Sequence, residues 1–272
     1  MMRRVLGPFA FFLVLVLSPP VTGAGPQTFE QAKIHAREHV YHDRNHGSGG
    51  DLYCGCDWRW VGRSAGRMDL ASCGYRIRAD PVRAGRLEWE HVVPAADFGR
   101  ARQCWQGGGR DSCRENDPVF NAMEADLHNL APSVGEINHD RQNFPFSPVQ
   151  ASSTGYGACD FRIDFRSRTA EPRDAVKGMV ARIYFYMHDR YDLPMSRQLQ
   201  QRLMHWHRHY PVADWERERD RRIAARMGHH NPFVTGALHW TPGHRNSRAG
   251  LSGPRPMPAP AISGGPASTP AP

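Results

Sequence analysis

The sequence predicts an α+β fold, a single domain cross-linked by disulfides, on three observations. Long amphipathic runs with helix-capping residues fill the C-terminal third, short β-rich runs broken by glycine and proline fill the middle, and six cysteines are spread between them. Helices that follow the strands, and do not alternate with them, mark this class.

In chain order, the first segment lies outside the fold. Arg3 and Arg4 precede an apolar run from Val5 to Leu17, and Val21-Thr-Gly-Ala24 supplies small residues for cleavage, so residues 1–24 read as a secretory signal peptide. No second apolar run follows, so no stable membrane insertion is expected, and the mature chain is placed in the periplasm or outside the cell. Thr28 to His42 reads as a helix with Phe29, Ala32, Ile34 and Ala36 on its apolar side, followed by a Gly-rich loop from Asn45 to Gly50. Strand-like pieces run through Trp58 to Val61 and Gly74 to Arg78, and a further one ends at Pro94. Leu127 to Pro132 reads as the second strand of a hairpin, and Val134 begins a helix carrying Asn138.

The last third is helical. Pro172 fits a start before Arg173 to Tyr191, Ser196 caps Arg197 to Tyr210, and Asp214 caps Trp215 to Met227, which stops at Gly228. Tyr184, Phe185, Tyr186 and Tyr191 are read as core and not as a base-stacking platform. The domain is therefore set at residues 25–238. From His239 the composition turns to Pro, Gly, Ser, Ala and Arg, with too few large apolar residues to offset ordering entropy, so 239–272 is expected to be a disordered basic tail.

Five units of the formal charge of +8 come from the leader and tail arginines, leaving a mildly basic +3 between Gly25 and Leu238. Lys33 and Lys177 are the only lysines; the other 33 basic residues are arginines, whose planar fork suits bidentate contact with phosphate. Genomic base composition would produce the same bias. Cys54, Cys56, Cys73, Cys104, Cys113 and Cys159 are even in number, which in an exported chain favours disulfides. Zinc is the rival reading, but Cys54-Gly-Cys56 lacks the usual two-residue gap and no second Cys-x-x-Cys exists. Cys104 and Cys113 bracket Gly107 to Gly109, so a disulfide between them would pin the loop bearing Arg110.

The chemistry is concentrated in Arg86-Leu-Glu-Trp-Glu-His-Val-Val-Pro94, which sets Glu90 beside His91. Hydrolysis of a phosphodiester needs a nucleophilic water, a cation on the developing charge and a proton acceptor. Neutral histidine suits the last role near pH 7. Glu90 and Asn138 supply the oxygens a hard divalent cation such as Mg²⁺ prefers, His91 the base and Arg110 the phosphate clamp. Strand neighbours point to opposite faces, so Glu90 and His91 share a site only if the backbone is irregular there or the metal sits at the strand's end. Taken singly, each residue also has a plain structural reading: a surface Glu-His pair, a flexible Gly loop, a helix-surface amide at Asn138, and His128 and Asn129 satisfying buried backbone groups.

Taken together, Asp51-Leu-Tyr-Cys-Gly-Cys56, Asp69-Leu-Ala-Ser-Cys-Gly-Tyr75, Glu88-Trp-Glu-His-Val-Val-Pro-Ala95, Arg102-Gln-Cys-Trp-Gln-Gly-Gly-Gly-Arg110, Met123-Glu-Ala-Asp-Leu-His-Asn-Leu130, Val134-Gly-Glu-Ile-Asn138, Ala181-Arg-Ile-Tyr-Phe-Tyr-Met187 and Tyr210-Pro-Val-Ala-Asp-Trp-Glu216 closely resemble the endonuclease I family of bacterial nucleases, in the ββα-metal (His-Me finger) superfamily. The resemblance spans about residues 27 to 236. It implies a ββα-metal core, Glu90 and Asn138 on a divalent metal, usually Mg²⁺, His91 activating water and Arg110 stabilising the phosphate. It further implies cleavage of DNA, and in some members RNA, with little sequence preference, leaving 5′-phosphate ends; the chain is expected to act as a monomer on double- or single-stranded DNA. Two cysteines of familiar members are replaced here, at the positions matching Arg217 and Leu238, which is consistent with the loss of one disulfide and with pairing among the remaining six. The alternatives are a catalytically silent exported protein that binds or takes up DNA, and a secreted structural protein stapled by disulfides.

Overall fold

The computed structural model describes residues 25–47, 49–150 and 155–251. The expected signal peptide and the last part of the expected tail lie outside these.

Helix α1 (Phe29–His35) starts where the Thr28 side chain accepts from the Gln31 amide. It runs into a π-helical turn, Ala36–Val40, so the helical run ends before His42. Ala32, Ala36 and Val40, spaced four apart, form its buried stripe. Strands β1 (Asp57–Val61), β2 (Ala65–Asp69), β3 (Arg86–His91) and β4 (Leu130–Val134) make an antiparallel sheet in that order. Strand alternation sorts the first three by face: Trp58, Met68, Leu87 and Trp89 are buried on one side, and Arg59, Arg67 and Arg86 are exposed on the other. Gly74 to Arg78, expected as a strand, is not one. A 3-10 turn at Ala71–Cys73 ends on Gly74 with φ 64°, and Tyr75 makes only an isolated bridge to Gly157.

The short helix α2 (Pro81–Ala84) precedes β3, and α3 (Ala95–Gly99), α4 (Gln103–Gln106), α5 (Gly109–Asn116) and α6 (Pro118–Glu124) fill the crossover from β3 to β4. These strands pair as expected, but Leu127–Asn129 is a 3-10 turn, so the second strand begins at Leu130 and the connection is no tight hairpin. Strand β4 passes directly into α7 (Gly135–Arg141), completing the strand–strand–helix unit. Gly135 allows the close approach: a Cβ there would lie 2.5 Å from the Arg83 carbonyl and 3.0 Å from Glu88 Oε1.

A small hairpin, β5 (Arg162–Asp164) and β6 (Thr169–Glu171), leads to α8 (Asp174–Tyr191), α9 (Arg197–His209), α10 (Asp214–Met227) and α11 (Pro232–Thr235). Tyr184, Phe185, Tyr186 and Tyr191 of α8 are buried, as expected of core. Their hydroxyls are satisfied: Tyr186 and Tyr191 donate to Asp126 Oδ2 at 2.7 and 2.8 Å. Ser196 caps α9 by accepting from the Leu199 amide, whereas α10 begins after Ala213 and Asp214 pairs with Arg217 instead of capping.

Ordered structure does not stop at Leu238. Trp240 is buried and stacks on Phe185 at 4.8 Å, and the buried Asp189 at the end of α8 binds His244 Nε2 at 2.7 Å and Ser247 Oγ at 2.6 Å. Arg248 pairs with Asp192 at 2.5 Å. One tryptophan and one carboxylate anchor a segment whose composition alone reads as unstructured.

All six cysteines form disulfides, Cys54–Cys159, Cys56–Cys73 and Cys104–Cys113. Asp51 lies close to Cys54 and Cys56, but those sulfurs are committed to disulfides and its carboxylate accepts from the amides of Tyr53, Cys56 and Val134. No helix among the described residues is long and apolar enough to cross a membrane.

Candidate active site

Glu90, His91, Arg110 and Asn138 line one cavity of about 590 Å³, together with Glu88, Phe29 and Trp105. Both residues stay in the ladder, Glu90 opposite Ala131 and His91, the last residue of β3, opposite Leu130, and the cavity at the strand's end is lined by both. Beyond it the chain is gripped by Asn129, whose amide accepts from the Val93 N–H at 2.8 Å and donates to the Val93 carbonyl at 2.9 Å.

Glu90 is buried, and one of its oxygens is fully engaged: Oε1 accepts from Tyr53 Oη and from Arg141 Nη1, each at 2.8 Å. Oε2 receives no hydrogen bond among the described residues. Burial raises the carboxyl's pKa above its ordinary value, against the pull of Arg141 and Tyr53. A cation at Oε2 would relieve that penalty. Arg141 also donates to the carbonyls of His91 and Val92 at 3.1 and 2.7 Å, tying α7 to the end of β3.

His91 Nε2 lies 2.8 Å from the carbonyl oxygen of Glu124. A carbonyl only accepts, so Nε2 carries the proton and Nδ1 keeps its lone pair. Burial, and then the Arg110 charge, push the imidazole down to about 4, so it is neutral near pH 7.

Asn138 Nδ2 donates to Glu88 Oε2 at 3.2 Å, which turns its carbonyl oxygen away from that partner. Glu88 is itself held by Arg83 Nε and Nη2 at 3.0 and 2.6 Å. The amide oxygen of Asn138 and Oε2 of Glu90 are thus two oxygen donors with no hydrogen bond among the described residues in one cavity, and they fit a hard divalent cation.

Arg110 Nε contacts Glu124 Oε1 at 2.5 Å, leaving the two terminal nitrogens of the guanidinium without a protein partner among the described residues. Arg114 Nε binds the same carboxylate at 2.9 and 3.0 Å. Burial disfavours the Glu124 charge, but the two arginines outweigh it and its pKa is lowered. Arg110 is the second residue of helix α5 and not part of a loop as expected, and the Cys104–Cys113 disulfide ties α4 to that helix. Sequence reasoning assigned no role to Glu124, Arg141, Tyr53 or Arg83. Glu124 was visible in the Met123-Glu-Ala-Asp motif, but its two uses depend on a backbone carbonyl and on arginines from another helix, which no local pattern announces.

Two oxygen donors and a neutral imidazole with a free lone pair on a strand–strand–helix unit, joined by an anchored guanidinium from α5, are the tools of a phosphodiester hydrolase. The Endonuclease I family profile matches residues 28–237, and the chain belongs to that family of endonucleases. It is 41% identical over 234 residues to a periplasmic deoxyribonuclease of Aeromonas hydrophila, covering 85% of this chain and 96% of that one. It is 42% identical over 223 residues to an extracellular deoxyribonuclease of the same organism, covering 82% and 94%. With Endonuclease-1 of Buchnera aphidicola it shares 43% identity over 185 residues, or 68% and 73% of the two chains.

Proposed function

We propose that this protein is an exported, metal-dependent endonuclease that hydrolyses DNA with little sequence preference, leaving 5′-phosphate ends. The observation that carries the reading is the His91 tautomer: a neutral imidazole with its lone pair on Nδ1, lining the same cavity as Arg110. Nδ1 takes the proton of the attacking water as the water oxygen bonds to phosphorus and the P–O3′ bond breaks. The Glu124 carbonyl receives the Nε2–H throughout and stabilises the imidazolium that forms. Burial first and the Arg110 charge second depress His91, and phosphate binding at the free end of Arg110 offsets the second of these, so the base strengthens when substrate arrives.

Glu90 Oε2 and the Asn138 amide oxygen would hold the divalent cation, with Mg²⁺ the best match to an all-oxygen pair. When bound, such a cation stabilises charge on the phosphate oxygens and the leaving oxygen. Export and DNA as substrate are supported by the periplasmic and extracellular deoxyribonucleases to which the chain is similar, and by disulfides that need an oxidising compartment. The protein acts as a monomer in this reading.

Supercoiled plasmid incubated with the protein and Mg²⁺ should become nicked and then linear; EDTA should stop this and fresh Mg²⁺ restore it. Unchanged cleavage in EDTA would remove the metal from the account. Retention of plasmid without cleavage under any divalent cation would favour the silent DNA-binding protein.

A further inference from the structure

Arg59, Arg67 and Arg86 stand in one row across the sheet. Arg59 pairs in register with Arg67, and Arg67 with Arg86, so the three side chains leave the same face of three adjacent strands. All three are exposed, and none makes an ion pair among the described residues. Arg86 Nε reaches only the Val82 carbonyl, at 3.2 Å. The acids beyond the row are engaged elsewhere, Asp57 with the Gly47 amide and Asp69 with the Ser72 amide.

Like charges directly opposite on neighbouring strands are destabilising. A fold that keeps two such pairs side by side presents a ready site for an anion with repeated charge. Strand period places Arg86 on the same face as Glu88 and Glu90, and Arg67 on the same face as Ala65; these three line the catalytic cavity, which Leu87, Trp89 and His91 of the opposite face also line, so the row runs out from one side of it. The row spans roughly 10 Å, since neighbouring strands lie about 4.8 Å apart. It begins about 13 Å along β3 from Glu90.

We infer that Arg59, Arg67 and Arg86 form a phosphate-tracking row that holds the DNA strand roughly four nucleotides from the scissile bond, at about 3.4 Å of rise per nucleotide. This rests on the nuclease reading and adds a binding surface to it. Arginine suits the task because its fork grips phosphate oxygens without selecting a base.

The test uses the whole protein with the triple substitution R59Q/R67Q/R86Q and its R59K/R67K/R86K counterpart. Steady-state cleavage of a duplex of about 40 base pairs and of an oligonucleotide of about 4 nucleotides, which extends at most about 7 Å beyond the cut phosphate and so cannot reach the row, is measured across a salt series. The glutamine variant should raise KM on the long duplex about tenfold or more, with kcat within about twofold, and flatten the salt dependence of log KM by up to about 2.7. It should cut the short substrate as wild type does, and the lysine variant should recover most of the loss. Its Tm should not fall, because opposed like charges are removed. Equal KM values and salt slopes on the long duplex would overturn the inference, as would an equal loss on the short substrate. Wild-type cleavage in the same assay reports separately on the nuclease reading.

Discussion

The carbonyl oxygen of Glu124 accepts the Nε2–H of His91 at 2.8 Å, while the carboxylate of the same residue anchors Arg110 and Arg114. One buried residue at the end of α6 therefore fixes the tautomer of the proton acceptor with its backbone and the place of the phosphate clamp with its side chain.

The two uses separate by mutation. Glu124→Gln keeps the carbonyl and hence the imidazole's tautomer, but removes the charge that holds the arginines. Single-turnover cleavage should slow about 10- to 100-fold, the range set by a charge-assisted hydrogen bond. Combined with Arg110→Ala, the losses should be less than multiplicative, because both act on one guanidinium. Fully multiplicative losses would mean that Glu124 does not work through Arg110.

The metal pair predicts a different signature. Asn138→Ala and Glu90→Gln should each weaken Mg²⁺ binding in calorimetry, with activity partly restored by excess Mg²⁺. Glu90→Ala should also cost about 3 to 5 kcal/mol of stability, since it strands the buried Arg141 without its partner. Unchanged Mg²⁺ affinity in the first two variants would place the ion elsewhere.

Reductant should inactivate the protein even with metal present, because the Cys104–Cys113 bond spans nine residues around the loop that leads to Arg110. A short-loop disulfide contributes about 2 to 4 kcal/mol. The C104S/C113S variant should show the same loss of rate without reductant. Mass mapping that found both thiols free in active protein would end this explanation.

Stability should fall on acidification. Burial holds His128 and His188 down to about 4, below the ordinary 6.5. Between pH 6.5 and 4 the unfolded chain therefore binds protons that the native state refuses, so their stabilising effect is complete above about 6.5 and is lost towards 4. Opposing charges from Asp126 and Asp220, and the Arg219 charge acting with burial, are already included in the net direction at His128. Melting curves should show Tm dropping across this window, and His188→Gln should make the drop shallower. A Tm independent of pH there would contradict the buried-neutral assignment.

Much of this architecture was legible in the sequence. The strand before Pro94, the strand–strand–helix order, the helix start at Thr28, the cap at Ser196 and the disulfide partnership of Cys104 with Cys113 follow from local pattern, and the structure agrees, with the strand ending at His91. The four proposed site residues do line one cavity. What sequence could not supply were contacts between distant segments. Arg141 reaches Glu90 across 51 positions and Tyr53 reaches it across 37, and neither pairing leaves a periodic trace. The contacts within residues 239–251 leave no mark on composition, which averages over residues, whereas Trp240 and the partners of Asp189 act singly. Strand β2 was missed because Ala65-Gly-Arg-Met-Asp69 has few strand-favouring residues and is held by its neighbours on both sides.

The most direct test of the central claim, that Nδ1 of His91 takes the proton of the attacking water, is single-turnover cleavage by His91→Ala with Mg²⁺ affinity measured on the same sample. The account predicts a rate lower by about 10² to 10⁴, Mg²⁺ binding close to wild type, and partial recovery with added imidazole. Near wild-type turnover in the folded variant would contradict it.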